Sequence, residues 1–346
     1  MTLIGGYPYA RFATEMAEVS TVPLDMDRIF VQTDTWGTGE WNDVVASINA
    51  ERTVIVSTKL SGTWANAATG SNDARLDAVV NGLVALDVSD LAGTPCLSFN
   101  HEPENDGPSP ADYNKMWRHF DQRYAAKLRA AGWDLAYIFM GGTWRGWTPW
   151  SIAQLEQSIA GTSVTKVYAD IYEKPGTPWA TKAWTDPDST SSPFRAYADW
   201  CEAKGYEAGL PEVGVNRKQV DDGSQATFLD ALASSKIAGM ADLFIYYDRD
   251  VGEGGATSNT RLLRPDAFEA FGGLYDAVVT PPPPPSGDCS EVEAELAATK
   301  ATLTATAAEL AATKADLTEA LAHLASTTSE RDEALAKIDA AVAVLS

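Results

Sequence analysis

Eight short apolar runs, rich in β-branched and aromatic residues, punctuate residues 1–280: 2–7, 28–34, 53–59, 94–100, 135–141, 166–172, 207–214 and 243–248. Between them lie amphipathic stretches with helical spacing, such as 110–131 and 224–235. Near-continuous apolar runs separated by helices read as parallel strands covered on both faces. Eight β/α units in about 280 residues fit a (β/α)8 TIM barrel, for which about 250 residues is typical. A doubly wound sheet would carry a glycine-rich phosphate loop after its first strand, and "GGYPYA" is not one.

The pattern changes at Pro281–Pro285. Five prolines there favour an extended spacer, so 281–288 reads as a linker. From 289 to 346 the chain is rich in Ala, Leu, Glu and Lys, with no Trp, Tyr, Phe, Gly or Pro. Leu296, Leu303, Leu310, Leu317 and Leu324 recur every seven residues, and "ELAATKATL" returns as "ELAATKADL". A strict seven-residue period predicts a C-terminal α-helical coiled coil. One such helix cannot cover its own stripe, so the chain is expected to self-associate. The domains are therefore 1–280 barrel, 281–288 linker and 289–346 oligomerisation stalk.

Composition narrows the partners. The net charge is −22 and the pI about 4.4. Such a field repels phosphate backbones and anionic lipid, which argues against nucleic acid. No run reaches the roughly 18 apolar residues of a membrane span, so no membrane insertion is expected. The N-terminus "MTLIGGYPYA" lacks the features of a signal peptide, and synthesis in a cytoplasm is expected. Cys96, Cys201 and Cys289 have no metal-ligand spacing. No metal and no organic cofactor is expected.

Barrel chemistry sits at the C-terminal ends of the strands. There the chain offers Tyr7; Trp36; Lys59 and Trp64; Asn100, His101, Glu102, Glu104 and Asn105; Trp144 and Trp147; Asp170 and Tyr172; Glu212; and Tyr246 and Tyr247. Aromatic faces and amides at a rim suit sugar rings, whose C–H faces stack and whose hydroxyls pair. Glycoside cleavage needs one carboxyl protonated at rest and one ionised. Glu102 and Glu212, on the fourth and seventh strands, are the candidate catalytic pair. They can lie about 5–5.5 Å apart, the retaining geometry.

These motifs resemble glycoside hydrolase family 26, the endo-β-mannanase-like group. His101-Glu102 matches its His-Glu on strand 4, Glu212-Val213-Gly214 its Glu-x-Gly on strand 7, and Asp170-Ile171-Tyr172 its Asp-x-Tyr on strand 6. The resemblance implies that Glu102 is the acid/base and Glu212 the nucleophile, with the other rim residues binding substrate. Pro103-Glu104-Asn105-Asp106 stands where that family usually has Met-Asn-Gly. The architecture as a whole resembles minor tail proteins of phages that infect actinobacteria. That implies a virion location in the phage tail, a homotrimeric stalk like that of tail fibres, other tail proteins as partners, and a host cell-envelope polysaccharide as substrate. The alternative is a non-catalytic carbohydrate-binding tail adhesin that uses the same cleft.

Overall fold

The apolar runs become strands because both of their faces find cover. They are β1 (Leu3–Tyr7), β2 (Met26–Val31), β3 (Thr53–Thr58), β4 (Cys96–Phe99), β5 (Asp134–Met140), β6 (Lys166–Tyr172), β7 (Ala208–Gly214) and β8 (Ala241–Tyr247). All neighbours pair in parallel, in chain order, and β8 returns to β1. The result is a TIM-barrel-like fold seen in a computed structural model that describes residues 3–7, 24–31, 36–107, 109–172, 186–214 and 224–247, with Ala270 and Lys337. The chain divides into two compact units, 1–281 and 282–346. The expected linker and coiled coil lie outside the described residues, Lys337 apart.

Alternation assigns each side chain to a layer. Ile55, Cys96, Ala136, Ile138, Tyr168 and Ile245 fill the barrel. Val54, Val56, Leu97, Tyr137, Phe139 and Phe244 face outward, where they pack against the surrounding helices. Those helices begin where the sequence supplies caps. Ser109 accepts from the Asp112 N–H ahead of Pro110–Phe120, with proline at the first turn where no N–H is needed. That helix runs through a π turn, Asp121–Ala125, into Ala126–Ala130, so the single helix expected over 110–131 is interrupted in the middle. Among the described residues no helix is long and apolar enough to cross a membrane.

The register between β7 and β8 slips twice and recovers. From Ala208↔Ala241 to Leu210↔Phe244, β8 advances one residue more than β7. From Leu210↔Phe244 to Val213↔Tyr246, β7 advances one residue more than β8. Each strand therefore carries one extra residue, the mark of a β-bulge. On β7 the insertion spans Pro211 and Glu212. Leu210 and Val213, three apart, both face the helices. In a regular strand Glu212 would share the outward face of Leu210; the bulge turns it into the barrel.

The Tyr197 hydroxyl braces this region from helix Pro193–Lys204. It accepts from the Gly209 N–H at 2.8 Å and donates to the Val167 carbonyl at 2.7 Å, tying β6 to β7. Tyr197 is fully buried. Tyr197→Phe leaves a buried N–H and carbonyl without partners, and equilibrium denaturant unfolding should show a loss of about 1–3 kcal/mol.

Candidate active site

The site is organised by a residue on β2. Arg28 has no solvent exposure, and parallel strands covered on both faces leave it nowhere but the barrel. Its Nη1 lies 2.7 Å from Asp170 Oδ1 and 3.1 Å from Glu212 Oε1, and its Nη2 is 3.1 Å from Asp170 Oδ2. Nε donates to Ser57 Oγ at 3.2 Å, and the guanidinium carbon sits 4.7 Å from the centre of the Phe30 ring. Burial works to lower the Arg28 pKa, but the charges of Asp170 and Glu212 outweigh it and hold the group above its ordinary value. Burial raises the Asp170 carboxyl, against the opposing pull of Arg28.

Asp170 and Glu212 are direct partners across β6 and β7. Glu102 completes the cluster from the end of β4. One carboxylate oxygen from each of Glu102, Asp170 and Glu212 lies within 4.8 Å of the others. Three such oxygens could ligate a cation, but the Arg28 guanidinium already supplies the positive charge to two of them. The cluster is an ion-paired arrangement with Glu102 at its open side.

The chain reaches Glu102 through unusual backbone. Asn100 and Glu102 both have φ of 50°, the left-handed region. Asparagine tolerates it; glutamate does so at a cost of about 1–2 kcal/mol. Glu102 is held there by its N–H, which donates to the Ile138 carbonyl at 2.8 Å. Its Oε2 accepts from Asn105 Nδ2 at 3.1 Å. His101 packs edge-on to Phe30 with ring centroids 5.3 Å apart. Burial, then the positive charges of Arg28 and Lys59, hold the His101 pKa well below its ordinary value, so the imidazole is neutral.

Glu104 goes elsewhere. It is 3 % exposed, and its Oε1 accepts from the Met140 N–H at 3.1 Å and the Thr143 hydroxyl at 2.5 Å. Its Oε2 is buried without a partner. Burial lifts this carboxyl to about 8, with the Thr143 hydrogen bond opposing. Glu104 anchors the loop that carries Glu102 to the end of β5; it presents no oxygen to the barrel mouth.

The remaining rim residues divide. Asn100 and Trp64 line a cleft beside the β4 end, and Asn105 lies on the Glu102 loop. Trp144, expected at the rim, is 4 % exposed and packs on Tyr197 and Trp200 at 4.7 and 5.6 Å. The exposed aromatic of that loop is Trp147 instead. Tyr246 is turned outward with Phe244 and fully buried, because strand parity puts it there. Trp36 packs against Trp41 with ring centroids 5.2 Å apart and tilted planes, and lies against Gly82 so closely that a Cβ there would come within 1.9 Å of its ring. It belongs to the helix layer. Tyr7, Tyr172 and Tyr247 end β1, β6 and β8, and their side chains lie outside the described residues. Arg28 was missed among the candidates, though an arginine within the run "MDRIFV" is itself a signal. A charge in a strand with no solvent face requires a partner.

No protein-family model matches the chain, and no curated protein matches it. Solved structures do resemble it in fold. A ruminal GH26 endo-β-1,4-mannanase superposes with a TM-score of 0.51 at 12 % identity, over 79 % of this chain and 63 % of that one. A GH26 β-mannanase from Bacteroides ovatus gives 0.48 at 11 % identity, over 75 % and 81 %. A GH5-4 broad-specificity endoglucanase from Ruminococcus champanellensis gives 0.47 at 13 % identity, over 76 % and 84 %. At such identities the likeness is one of fold.

The buried Glu104 makes stability depend on pH. Its folded pKa of about 8 lies above its ordinary value of 4.5. The unfolded chain therefore releases this proton first, and the folded state is progressively penalised as pH rises from about 4.5 towards 8. Glu104→Gln stays neutral throughout. Thermal denaturation should show the variant gaining on the wild type at pH about 8, with no such gain near pH 4. The same difference at both pH values would mean that Glu104 is ionised in the folded protein.

Proposed function

We propose that the barrel is a retaining endo-glycosidase that acts on a cell-envelope polysaccharide, with Glu102 and Glu212 as its catalytic pair. The observation that carries this reading is the carboxyl cluster. Glu102 and Glu212 leave the C-terminal ends of β4 and β7 and bring oxygens within 4.8 Å of one another. That spacing suits direct attack, for which about 5–5.5 Å between carboxyls is usual, better than insertion of a water at about 6.5–9.5 Å.

The roles follow from surroundings. Glu212 lies against Arg28, whose charge favours its ionised form, as a nucleophile needs. Glu102 reaches the cluster from beyond the end of β4, where Asn105 Nδ2 donates to its Oε2 at 3.1 Å. In the first step a Glu212 oxygen attacks the anomeric carbon while Glu102 gives its proton to the departing glycosidic oxygen. The C–O bond breaks and a glycosyl ester forms on Glu212. In the second step Glu102, now a carboxylate, takes a proton from water. The water oxygen attacks the same carbon and frees Glu212. Neutral His101, Asn100 and Asn105 border Glu102 and would orient it or bind sugar hydroxyls. Tyr7, Tyr172 and Tyr247 belong to this reading through their places at strand ends.

The seven-residue repeat and the resemblance to phage minor tail proteins support a virion setting. In it several barrels are carried on a trimeric stalk, beside other tail proteins, towards a repetitive envelope glycan. Joined sites gain avidity on such a surface. The other reading, an adhesin that grips without cutting, shares this geometry and differs only in turnover.

Glu102→Ala and Glu212→Ala should each remove most turnover on a cleavable envelope polysaccharide, with circular dichroism unchanged. Azide should partly restore Glu102→Ala on substrates with a good leaving group, because a small anion can attack the glycosyl ester without base assistance. Equal turnover in wild type and both variants sinks the assignment; binding with no turnover in any of them selects the adhesin. For the stalk, light scattering of the full chain should give three times the 37.0 kDa chain mass. A monomer rejects the coiled coil, and a dimer rejects only the threefold state.

A further inference from the structure

A cleft of about 520 Å³ opens between the ends of β3 and β4. Its size is within the range of small-ligand sites, about 300–1,000 Å³. Lys59, Leu60, Thr63, Trp64, Asn100 and Asp106 line it. Asn100 and Asp106 bracket Glu102 in the chain, and Lys59 Nζ donates to the His101 carbonyl at 2.6 Å. The cleft therefore shares its inner wall with the loop that presents Glu102.

The polar groups in this wall are held in place. Asn100 is fixed by its left-handed backbone and by its Oδ1, which accepts from the Leu60 N–H at 2.9 Å. That leaves its NH2 group with no partner among the described residues, on the wall of the cleft. The Trp64 indole N–H likewise has no partner among the described residues, and its ring, which lines the cleft, is held edge-on between Tyr113 and Trp150 at 5.0 and 6.1 Å. Two fixed donors, an apolar ring and the Asp106 carboxylate as acceptor are what a polyol needs.

Charge restricts the polyol further. Lys59 is ion-paired with Asp106. Asp112 also lines the cleft, and its partner Lys115 is 66 % exposed. Among the described residues no uncompensated cation lines the space, in a chain of net charge −22. A uronate, phosphate or sulfate would meet carboxylates here without a counter-charge.

We propose that this cleft binds a neutral sugar unit of the glycan, next to the one being cleaved, and so selects an uncharged polysaccharide. The proposal rests on the glycosidase reading for its place in the substrate, but it is tested by binding alone. The full chain carrying Glu212→Gln, whose amide oxygen can still accept from Arg28, is labelled with ¹⁵N and titrated with mannobiose, cellobiose and digalacturonate. The signals followed are the Trp64 indole N–H, assigned with Trp64→Phe, and the Asn100 side-chain NH2. A neutral disaccharide should move both signals saturably, and digalacturonate at equal concentration should leave them in place. Ala65→Trp, which fills the cleft from its exposed edge, should abolish the shifts. The proposal is overturned if neither neutral disaccharide moves the signals up to its solubility limit. Equal shifts with digalacturonate, or shifts that survive Ala65→Trp, overturn it as well. Loss of the glycosidase reading would appear instead as absent turnover with these shifts intact.

Discussion

A guanidinium enclosed in a barrel must have its charge met within hydrogen-bond reach, and in this protein that demand falls on Asp170 and Glu212. The two carboxylates are neighbours across β6 and β7 and would repel one another if both were ionised in a low-dielectric interior. Arg28 lies between them and makes the arrangement tolerable. It also fixes their direction, because a planar fork binds Asp170 through two oxygens and leaves one nitrogen shared with Glu212. Removing a partner from such a buried set typically costs about 3–5 kcal/mol. The site is thus part of the packing of the barrel, and the position of Glu212 depends on a residue from the opposite side of the chain.

The paired bulges on β7 and β8 answer a related problem. A single extra residue would carry every later side chain of β7 to the wrong face relative to its neighbour. One insertion in each strand, placed in succession, cancels the displacement. The register is recovered by Val213, and Glu212 lies within the second insertion, on β7. The Tyr197 hydroxyl, bonded to Gly209 and Val167, stiffens the strand just before it.

Much of this was legible in the sequence for a simple reason. Strands with two covered faces must be apolar almost throughout, so the eight runs stand out, and the polar residues that end them mark one end of the barrel. The abrupt change from Cys96–Phe99 to Asn100–Asn105 located Glu102 in this way. What was not legible is side-chain direction. Trp144 and Tyr246 sit at the correct height but on the outer face, because parity along a strand and the turn of the following loop decide where they point. Glu104 and Glu102 are chemically alike and two residues apart, yet the left-handed turn at Glu102 sends one to the mouth and the other beneath β5. Arg28 could have been inferred from its apolar context, but the identity of its partners could not, since they lie more than a hundred residues away.

The left-handed backbone at Glu102 has a bearing on how such a barrel changes through descent. A glycine there would adopt the same conformation without strain, and in doing so would remove a carboxyl from the cluster. Glutamine at position 104 would likewise relieve a buried carboxyl. Loss of the carboxyls at this loop is therefore a thermodynamically downhill path, and drift without selection for them carries the scaffold towards firmer descendants. A lineage that still holds glutamate at position 102 does so against the preference of its own fold.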